Sequence, residues 1–396
     1  MSDVLENIRV LDLTQALAGP YCTMLLGDLG ADVIKIEQPG KGDQSRGWGP
    51  PFVDGESTYF LSVNRNKRSV TLNIKSAEGQ KVLHKMVATA DIFICNIPKK
   101  ASRQRGQLDA ETLQAINPRL VYCLISGYGS TGPYAERPGY DMIAQGEAGV
   151  MSLTGEPEGK PVKYPISLAD IATGMYSTMG ILAALYHREK SGQGQVLDMT
   201  LLESQSAWLT NWASALMNGG QEPTRLGNGH PNIVPYDVYK TQDKYIVVTV
   251  GTEKIWSNFC DSLGIPQLKT DARFITNADR VKHRAEMTEF LNELFVTQPA
   301  CYWLEKLKEA NVPSGPLNIV SETLAHPQHQ ARNFIVQLDH PAAGTVRSMG
   351  NPIRLSETPA SYRLAPPQLG QHTDEILAEL GYEAARRTSL REQGVV

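Results

Sequence analysis

Short apolar runs alternate with stretches of helical spacing through the first half of the chain. These strand-like runs occupy residues 8–13, 31–37, 69–74, 91–97 and 119–126, and short turns and helical stretches separate them. Because strands that alternate with helices usually form a doubly wound layer, the sequence predicts an α/β fold with a mostly parallel sheet.

The pattern of residues changes in the second half of the chain. Residues 167–190 are rich in apolar and small residues, which predicts a long buried helix, and a strand and a helix follow up to residue 217. Gly, Asn and Pro then break all periodicity. Beyond the break, a predicted hairpin at 236–250 and several helices indicate a smaller α+β domain.

The predicted domains follow from these breaks. The large domain occupies residues 1–222, the small domain occupies 223–318, and residues 319–396 return to the large domain. The segment Val312–Pro316 is predicted to be the second linker because it combines Pro and Gly.

Composition narrows the class of protein. With 396 residues, 41% of them hydrophobic and 20% charged, the chain is typical of a globular protein and not of a disordered one. The 38 basic and 42 acidic residues give a net charge of −4, which argues against a nucleic-acid partner. The start carries no leader-like pattern, and no stretch reaches the roughly twenty apolar residues that span a bilayer. We therefore expect a cytoplasmic protein, or an organelle-matrix protein if a presequence was removed, with no membrane partner.

Cysteine and histidine offer little chemistry. Five cysteines are widely spaced without a CxxC pair, which predicts reduced, buried and inert thiols. Only His326 and His329 lie a helical turn apart, and no third ligand has suitable spacing, so we expect no metal site.

A glycine-rich segment at Gly127–Gly132 matches the pattern GxGxxG after a predicted strand. In a dinucleotide-binding protein a helix begins within this motif, but here Pro133 and a loop-like sequence follow. We interpret the segment as an ordinary turn, and NAD binding as the weaker alternative.

Two basic clusters, Asn64–Arg68 and Lys99–Arg105, adjoin predicted strands. Composition alone favours solvated surface for both. The alternative is that their cations contact a phosphorylated ligand.

Asp170 stands among apolar and small residues at the start of the long predicted helix. An aspartate at this place commonly caps the helix, which we take as its first interpretation. The small neighbours also leave room for a ligand, which favours a catalytic role.

Taken together, the chain resembles the class III CoA-transferases, a family that includes formyl-CoA transferases and has the 2-methylacyl-CoA racemases as relatives. The resemblance covers nearly the whole sequence. It is carried by VLDLTQALAGP, LGDLGADVIKIEQPGKGD, NRNKRSVTLNIK, INPRLVYCLISGYGSTGPYAERPGYD, SLADIATGMY, HREKSGQGQ, VPSGP and PPQLGQHTDEIL, in this order. The stretch RLGNGHPNIVPYDVYKTQDKYIVV is similar to the succinyl-CoA and acetyl-CoA:dicarboxylate transferases of the family.

The resemblance implies a Rossmann-like large domain with a smaller α+β domain, and a homodimer whose two chains interlock. It implies transfer of CoA from an acyl-CoA donor, with succinyl-CoA or acetyl-CoA favoured, to a small carboxylic or dicarboxylic acid. Acyl-CoA is then a substrate, and no permanently bound cofactor is expected. The reaction passes through an aspartyl-CoA thioester, because a carboxylate can attack a thioester covalently.

The family pattern also implies site residues. Asp170 corresponds to the catalytic nucleophile. The residues implied to contact CoA or substrate are Ala18, Leu72, Lys75, Asn96, Arg105 and Tyr140. Gln38 and Gln104 stand where some relatives have a basic residue, and Arg103 or Arg105 is expected to supply the missing cation.

Two alternatives stay open from the residues. A racemase needs two acid/base groups on opposite faces of the substrate, and Tyr140 stands where racemases have a histidine. A phenol is a poor base at neutral pH, so transfer is favoured. A non-catalytic CoA-binding protein would be expected to lose Asp170, which this chain retains.

Overall fold

The computed structural model describes residues 3–396. The strands are β1 Arg9–Leu13, β2 Asp32–Glu37, β3 Phe52–Val53, β4 Glu56–Ser57, β5 Lys67–Thr71, β6 Ile92–Cys95, β7 Val121–Ser126, β8 Val196–Thr200, β9 Tyr236–Lys240, β10 Tyr245–Thr249, β11 Ser314–Pro316, β12 Ile335–His340 and β13 Gly344–Met349. The helices are α1 Ala18–Asp28, α2 Thr58–Ser62, α3 Ala77–Val87, α4 Lys100–Arg105, α5 Ala110–Ile116, α6 Asp141–Glu147, α7 Val150–Leu153, α8 Leu168–Ser191, α9 Leu201–Ser206, α10 Thr210–Gly219, α11 Glu253–Leu263, α12 Asn277–Lys282, α13 Arg284–Phe295, α14 Ala300–Glu309, α15 Val320–Leu324, α16 Pro327–Ala331, α17 Thr373–Glu379 and α18 Ala384–Glu392. Short 3₁₀ turns occupy Gln44–Gly47, Ala207–Leu209 and Pro266–Lys269.

The chain forms two compact units. The first comprises the chain up to Val150, Lys163–Ala213 and Gln328–Val396, and the second comprises Met151–Val162 and Ser214–Pro327. The limits predicted from the sequence for the domains, 1–222, 223–318 and 319–396, remain predictions.

A six-stranded parallel sheet in the order β5-β2-β1-β6-β7-β8 forms the centre of the first unit. The predicted α/β class and parallel sheet are confirmed. The strand order reverses between β1 and β6, and in open α/β sheets ligands bind outside the carboxyl ends of the strands at such a point. The fold therefore predicts a ligand site beside the ends of these two strands.

Apolar cores cover both faces of this sheet. Successive residues of β1 point to opposite faces, so Leu11 packs with α3, α5, α17 and α18 while Val10 packs with α1 and α8. Burial on both faces explains why apolar residues dominate β6 and β7, in which every residue is buried.

The second unit has a three-stranded antiparallel sheet in the order β11-β10-β9 and its own aromatic core. Trp256, Phe259, Phe295 and Trp303 are buried in that core. The prediction that Val312–Pro316 is a linker is wrong, because Ser314–Pro316 pairs with β10 as an edge strand.

The basic cluster Asn64–Arg68 is neither solvated surface nor free for a phosphate. Arg65 pairs with Asp28 at 2.6 Å, and Lys67 pairs with Asp12 at 3.0 Å, with all four side chains buried. Arg68 pairs with Asp32 at 2.8 Å. These cations stabilise the sheet and the helices beside it, so both interpretations of this cluster are wrong.

By length and composition alone, helix α8 could cross a membrane. This differs from the expectation that no stretch of the sequence is long and apolar enough to do so. Half of the most apolar window of α8 is buried in the first unit, and core helices pass the same test. The predicted buried helix at 167–190 is confirmed in its position, and Gly192 ends it in the left-handed conformation with φ 74°.

Candidate active site

A cavity of about 430 Å³ opens at the carboxyl ends of β1, β6 and β7. Gln15, Asn96, Ser126 and Asp170 are among the residues that line it. A smaller cavity of about 200 Å³ is also lined by Gln15 and Asn96, together with residues that follow β2 and β5. Both cavities lie where the reversal of strand order predicts a ligand site.

Asn96 joins the ends of the two central strands. Its Nδ2 donates to the carbonyl of Gln15 at 2.9 Å, and its Oδ1 accepts from the Gln15 amide at 3.2 Å. The side-chain amide therefore holds the loop after β1 against the loop after β6, at the point shared by the two cavities.

The loop after β1 rests on buried charges. Lys67 Nζ donates to Asp12 at 3.0 Å, to the Pro20 carbonyl at 2.9 Å and to Asn64 at 2.9 Å, which satisfies its three protons. Burial lowers the pKa of Lys67 to about 8 although Asp12 opposes this shift. Burial alone would raise the pKa of Asp12, but the ammonium groups of Lys67 and Lys35 hold it well below its usual range.

A second buried pair supports the same loop. Lys35 lies 2.8 Å from Asp43 and donates to the Thr14 carbonyl at 3.0 Å. Asp43 accepts from the Ala16 amide at 3.1 Å. Ala16, which lines the larger cavity, has φ 68°, a strained conformation for a residue with a side chain. These contacts hold it there.

Close helix packing brings Asp170 to the cavity. Helices α1 and α8 cross where Gly174 meets the start of α1, and a Cβ at Gly174 would lie only 2.7 Å from the Ala18 carbonyl oxygen. A glycine at this position lets α8 approach closely enough for Ala18 and Asp170 to line the same cavity.

Asp170 does not cap its helix. It is the third residue of α8, while the amide of Ala169 donates to Oδ1 of Asp141 on α6 at 2.9 Å. The interpretation of Asp170 as an N-cap is therefore wrong, because Asp141 performs that role from another helix. Within residues 3–396, no group hydrogen-bonds to the carboxyl of Asp170.

The electrostatics of Asp170 are unusual for an aspartate. Its side chain is partly buried, and burial together with the charge of Asp141 raises its pKa to about 7. The carboxyl thus titrates near neutral pH in a cavity that leaves it unpartnered. Strongly shifted carboxyl groups in clefts are candidates for catalysis.

Helix α6 also holds the chain that leads into α8. Gln145 is fully buried; its Oε1 accepts from the Tyr164 amide at 2.8 Å, and its Nε2 donates to Asp141 at 2.8 Å and to the Ile166 carbonyl at 3.3 Å. Asp141 and Gln145 therefore fix the segment 164–169 just before Asp170.

The structure brings most of the predicted site residues together. Ala18, Asn96, Tyr140 and Asp170 line the larger cavity, while Leu72, Lys75 and Asn96 line the smaller one. Arg105 is exposed and lines neither cavity. The roles assigned to these residues stay predictions.

Arg103 has a structural role in the loop after β6. It is buried and donates to the carbonyls of Ile97 and Pro98, each at 2.6 Å, which stabilises the loop after β6. Those contacts occupy one end of its guanidinium.

Several lining residues were not predicted from the sequence, among them Gln15, Trp48, Tyr59 and Lys163. Trp48 and Tyr59 form an edge-to-face pair with ring centroids 4.8 Å apart. Burial and the nearby charge of Asp170 raise the pKa of Tyr59 to about 12. None of these residues carries a local sequence signal, since the cavity is assembled from segments far apart in the chain.

The glycine-rich segment Gly127–Gly132 forms a loop, and the next helix, α6, begins only at Asp141. A Cβ at Gly127 would lie 2.6 Å from the Cα of Gly139, so the two ends of the connection between β7 and α6 touch at the cavity wall. The interpretation of this segment as a turn is confirmed. Among residues 3–396 no group of three or more His, Cys, Asp or Glu is placed to hold a metal ion.

Comparison with known proteins identifies the family. The profile of CoA-transferase family III matches residues 5–373. The chain belongs to this family. It is 42% identical over 391 residues to "Succinate--glutarate CoA-transferase" of Agrobacterium fabrum strain C58, covering 97% of both chains. It is 39% identical over 352 residues to "Acetyl-CoA:oxalate CoA-transferase" of Acetobacter aceti, covering 89% of both.

A solved structure agrees with this assignment. The crystal structure of a CAIB/BAIF family protein from Brucella suis is 40% identical, has a TM-score of 0.86, and matches 96% of this chain and 100% of that one. The resemblance to class III CoA-transferases and the prediction of a CoA-transferase acting on CoA thioesters are confirmed. The relatives do not favour the racemase alternative.

Proposed function

We propose that this transferase moves CoA from an acyl-CoA donor to a dicarboxylic acid, with Asp170 as the covalent nucleophile. One observation carries the proposal: the carboxyl of Asp170 lines the cavity at the ends of the central strands without a protein partner. A structural carboxylate in a partly buried position is normally hydrogen-bonded. An unpartnered one is available to attack a substrate.

The first half of the reaction loads CoA on the enzyme. An ionised oxygen of Asp170 attacks the thioester carbonyl of the donor, the C–S bond breaks, and CoA thiolate leaves an acyl-aspartyl anhydride. The thiolate then attacks the Asp170 carbonyl of the anhydride. The donor acid leaves as its carboxylate, and Asp170 becomes an aspartyl-CoA thioester.

The second half mirrors the first. A carboxylate oxygen of the acceptor attacks the aspartyl thioester and expels CoA thiolate, which gives a second anhydride. The thiolate attacks the acceptor carbonyl, which forms the product thioester and regenerates the Asp170 carboxylate. One thioester is broken for each one made, so the sequence needs no ATP.

The two cavities support an extended CoA site. They share Gln15 and Asn96, so one long ligand can lie across both. We assign the nucleotide end to the smaller cavity, where the exposed Lys75 offers a cation for phosphate and Leu72, although almost fully buried, forms part of the wall. Tyr140 borders the acyl end, and Arg105 is proposed to approach the phosphates from outside.

The acceptor class rests on the relatives. Both reported relatives carry a dicarboxylic acid in their names, glutarate with succinate in one and oxalate in the other. We therefore favour a dicarboxylic acceptor and succinyl-CoA or acetyl-CoA as donor. We retain the cytoplasm or an organelle matrix as the expected location.

A homodimer completes the proposal. Along α8, Met175, Met179 and Tyr186 are 44%, 53% and 65% exposed and follow one side of the helix. Apolar side chains exposed in a row commonly mark a protein interface. We propose that a second copy of the chain covers this row in the interlocked dimer implied by the resemblance. Sedimentation of diluted enzyme tests it, since a folded monomer would contradict interlocking.

Trapping the acyl-enzyme tests the nucleophile. Incubation with acetyl-CoA followed by hydroxylamine should convert Asp170, and no other acid, to a hydroxamate that mass spectrometry locates. Asp170→Asn should still show a CoA-dependent rise in melting temperature, because ligand binding to the folded state stabilises it, but should lose transfer by orders of magnitude.

A matched control is Asp54→Asn, which changes an exposed aspartate outside both cavities. It should match the wild type in both measurements. Full transfer by Asp170→Asn, or a hydroxamate only at another residue, would refute the proposed mechanism.

A further inference from the structure

The charges that line the larger cavity are unbalanced. Asp141 and Asp170 contribute carboxyl groups, and Lys163 is the only Lys or Arg among the described residues that form its wall. The remaining lining residues are uncharged. A carboxylate substrate that enters this cavity therefore meets two acidic groups and a single ammonium.

The ammonium of Lys163 is not committed to a protein partner of opposite charge. Its Nζ donates to the backbone carbonyls of Tyr164 at 3.4 Å and Pro165 at 3.3 Å, which are long contacts. Within residues 3–396, no carboxylate lies within ion-pair distance of it. An ammonium has three protons, so at least one remains for a ligand.

The position of Lys163 is tied to that of Asp170. Gln145 binds the amide of Tyr164, the residue directly after Lys163, and Asp141 binds the amide of Ala169, the residue directly before Asp170. Both supporting side chains belong to α6. The backbone at Lys163 and the nucleophile are therefore held at a set separation by one short helix.

A dicarboxylic acceptor places a special demand on such a cavity. One carboxylate must reach the thioester on Asp170, and the other then lies elsewhere in the cavity, where Asp141 is the remaining acidic group among the described lining residues. A carboxylate removed from water without a counter-ion is strongly disfavoured. A monocarboxylic acid of equal length has an apolar end and makes no such demand.

We propose that Lys163 binds the distal, non-reacting carboxylate of a dicarboxylic acceptor and so determines the preference for dicarboxylic over monocarboxylic acids. The inference rests on the proposed function, since it takes Asp170 as the point of reaction. Lys163 is a specificity-determining residue here and takes no part in bond making.

Steady-state transfer from acetyl-CoA tests the proposal, because this donor has no second carboxylate of its own. The acceptors are glutarate and pentanoate, which have equal chain length and differ in one terminal carboxylate. Lys163→Met removes the charge and keeps most of the stem, and Lys163→Arg keeps the charge. Lys160→Met is the matched control, because Lys160 is exposed and does not line the cavity.

The measured quantity is the ratio of kcat/KM for glutarate to kcat/KM for pentanoate. Wild-type enzyme should prefer glutarate. Lys163→Met should lower the ratio at least tenfold, equivalent to about 1.4 kcal/mol, mainly through KM for glutarate. Lys163→Arg should retain most of the preference, and Lys160→Met should match the wild type.

Hydroxamate formation at Asp170 from acetyl-CoA shows that the Lys163→Met active site is folded. A ratio that is unaltered in Lys163→Met, or equal transfer to both acids by wild-type enzyme, would overturn the role of Lys163 while leaving the transferase mechanism intact. Failure of the proposed function has a different signature, namely full transfer by Asp170→Asn.

Discussion

Acylation of Asp170 should depend on pH near neutrality. The attacking species is the carboxylate, and burial together with Asp141 raises the pKa of this carboxyl from 3.8 to about 7. With that pKa, about one-tenth of the groups are ionised at pH 6, about one-half at pH 7 and about nine-tenths at pH 8. The single-turnover rate should therefore rise about tenfold between pH 6 and pH 8 and level off above.

Rapid mixing with acetyl-CoA, acid quenching and mass spectrometry of the hydroxylamine product measure this rate. Asp141→Asn is the informative variant, because asparagine keeps an oxygen that can accept from the Ala169 amide while the charge is lost. The midpoint should fall below 7 but remain above 3.8, since burial is the larger cause of the shift. A rate independent of pH between 6 and 8, or a higher midpoint in Asp141→Asn, would refute this account of Asp170.

Three further predictions concern stability. Gly174→Ala places a Cβ 2.7 Å from the Ala18 carbonyl oxygen, so it should lower the free energy of unfolding in urea by about 1–3 kcal/mol. Gly192→Ala is the comparison variant: its Cβ makes no close contact, but φ is 74°, so its effect should come from backbone strain alone. Lys67→Met leaves Asp12 buried without its ion pair and should lose about 3–5 kcal/mol in the same assay, and a loss under 1 kcal/mol would contradict the pairing. Because the folded pKa of Asp170 lies above its unfolded value, the contribution of this group to stability falls as pH rises from about 4 through 7. Asp170→Asn lacks this loss, so its advantage in melting temperature over the wild type should be larger at pH 8 than at pH 5. An equal difference at both pH values would count against the shifted pKa.

The sheet was predictable because its strands are short runs that alternate with helical stretches in the sequence. Residues such as Val10 and Leu11 are buried on opposite faces, and this double burial favours apolar side chains at successive positions of a strand. The edge strand Ser314–Pro316 was not predictable in this way. It is short, and its Gly and Pro are tolerated because it pairs with β10 on one side only.

The burial of charged residues was not predicted from the sequence. Lys67 looks like a surface residue in its local sequence, and the partner that allows its burial, Asp12, lies 55 residues away. The site shows the same limit. Asp170 lies in a stretch that matches the family pattern. The roles of Gln145 and Lys163 depend on the fold, because Gln145 on α6 holds the segment 164–166 and Lys163 directly precedes that segment.

The edge strand β5 completes its contacts with residues made very late in synthesis. The amide of Thr71 donates to the side chain of Thr373, 302 residues further along, and the amide of His372 donates to the Ser69 carbonyl. At about 5–20 residues per second, a ribosome needs about 15–60 s to span that interval. Before that segment is made, the outer edge of β5 lacks these contacts, and charged side chains on an edge strand disfavour pairing with another chain. In the folded protein, Glu375 and Glu379 of α17 bind the guanidinium of Arg68, so a charged residue of the edge strand is also a residue through which α17 attaches to it.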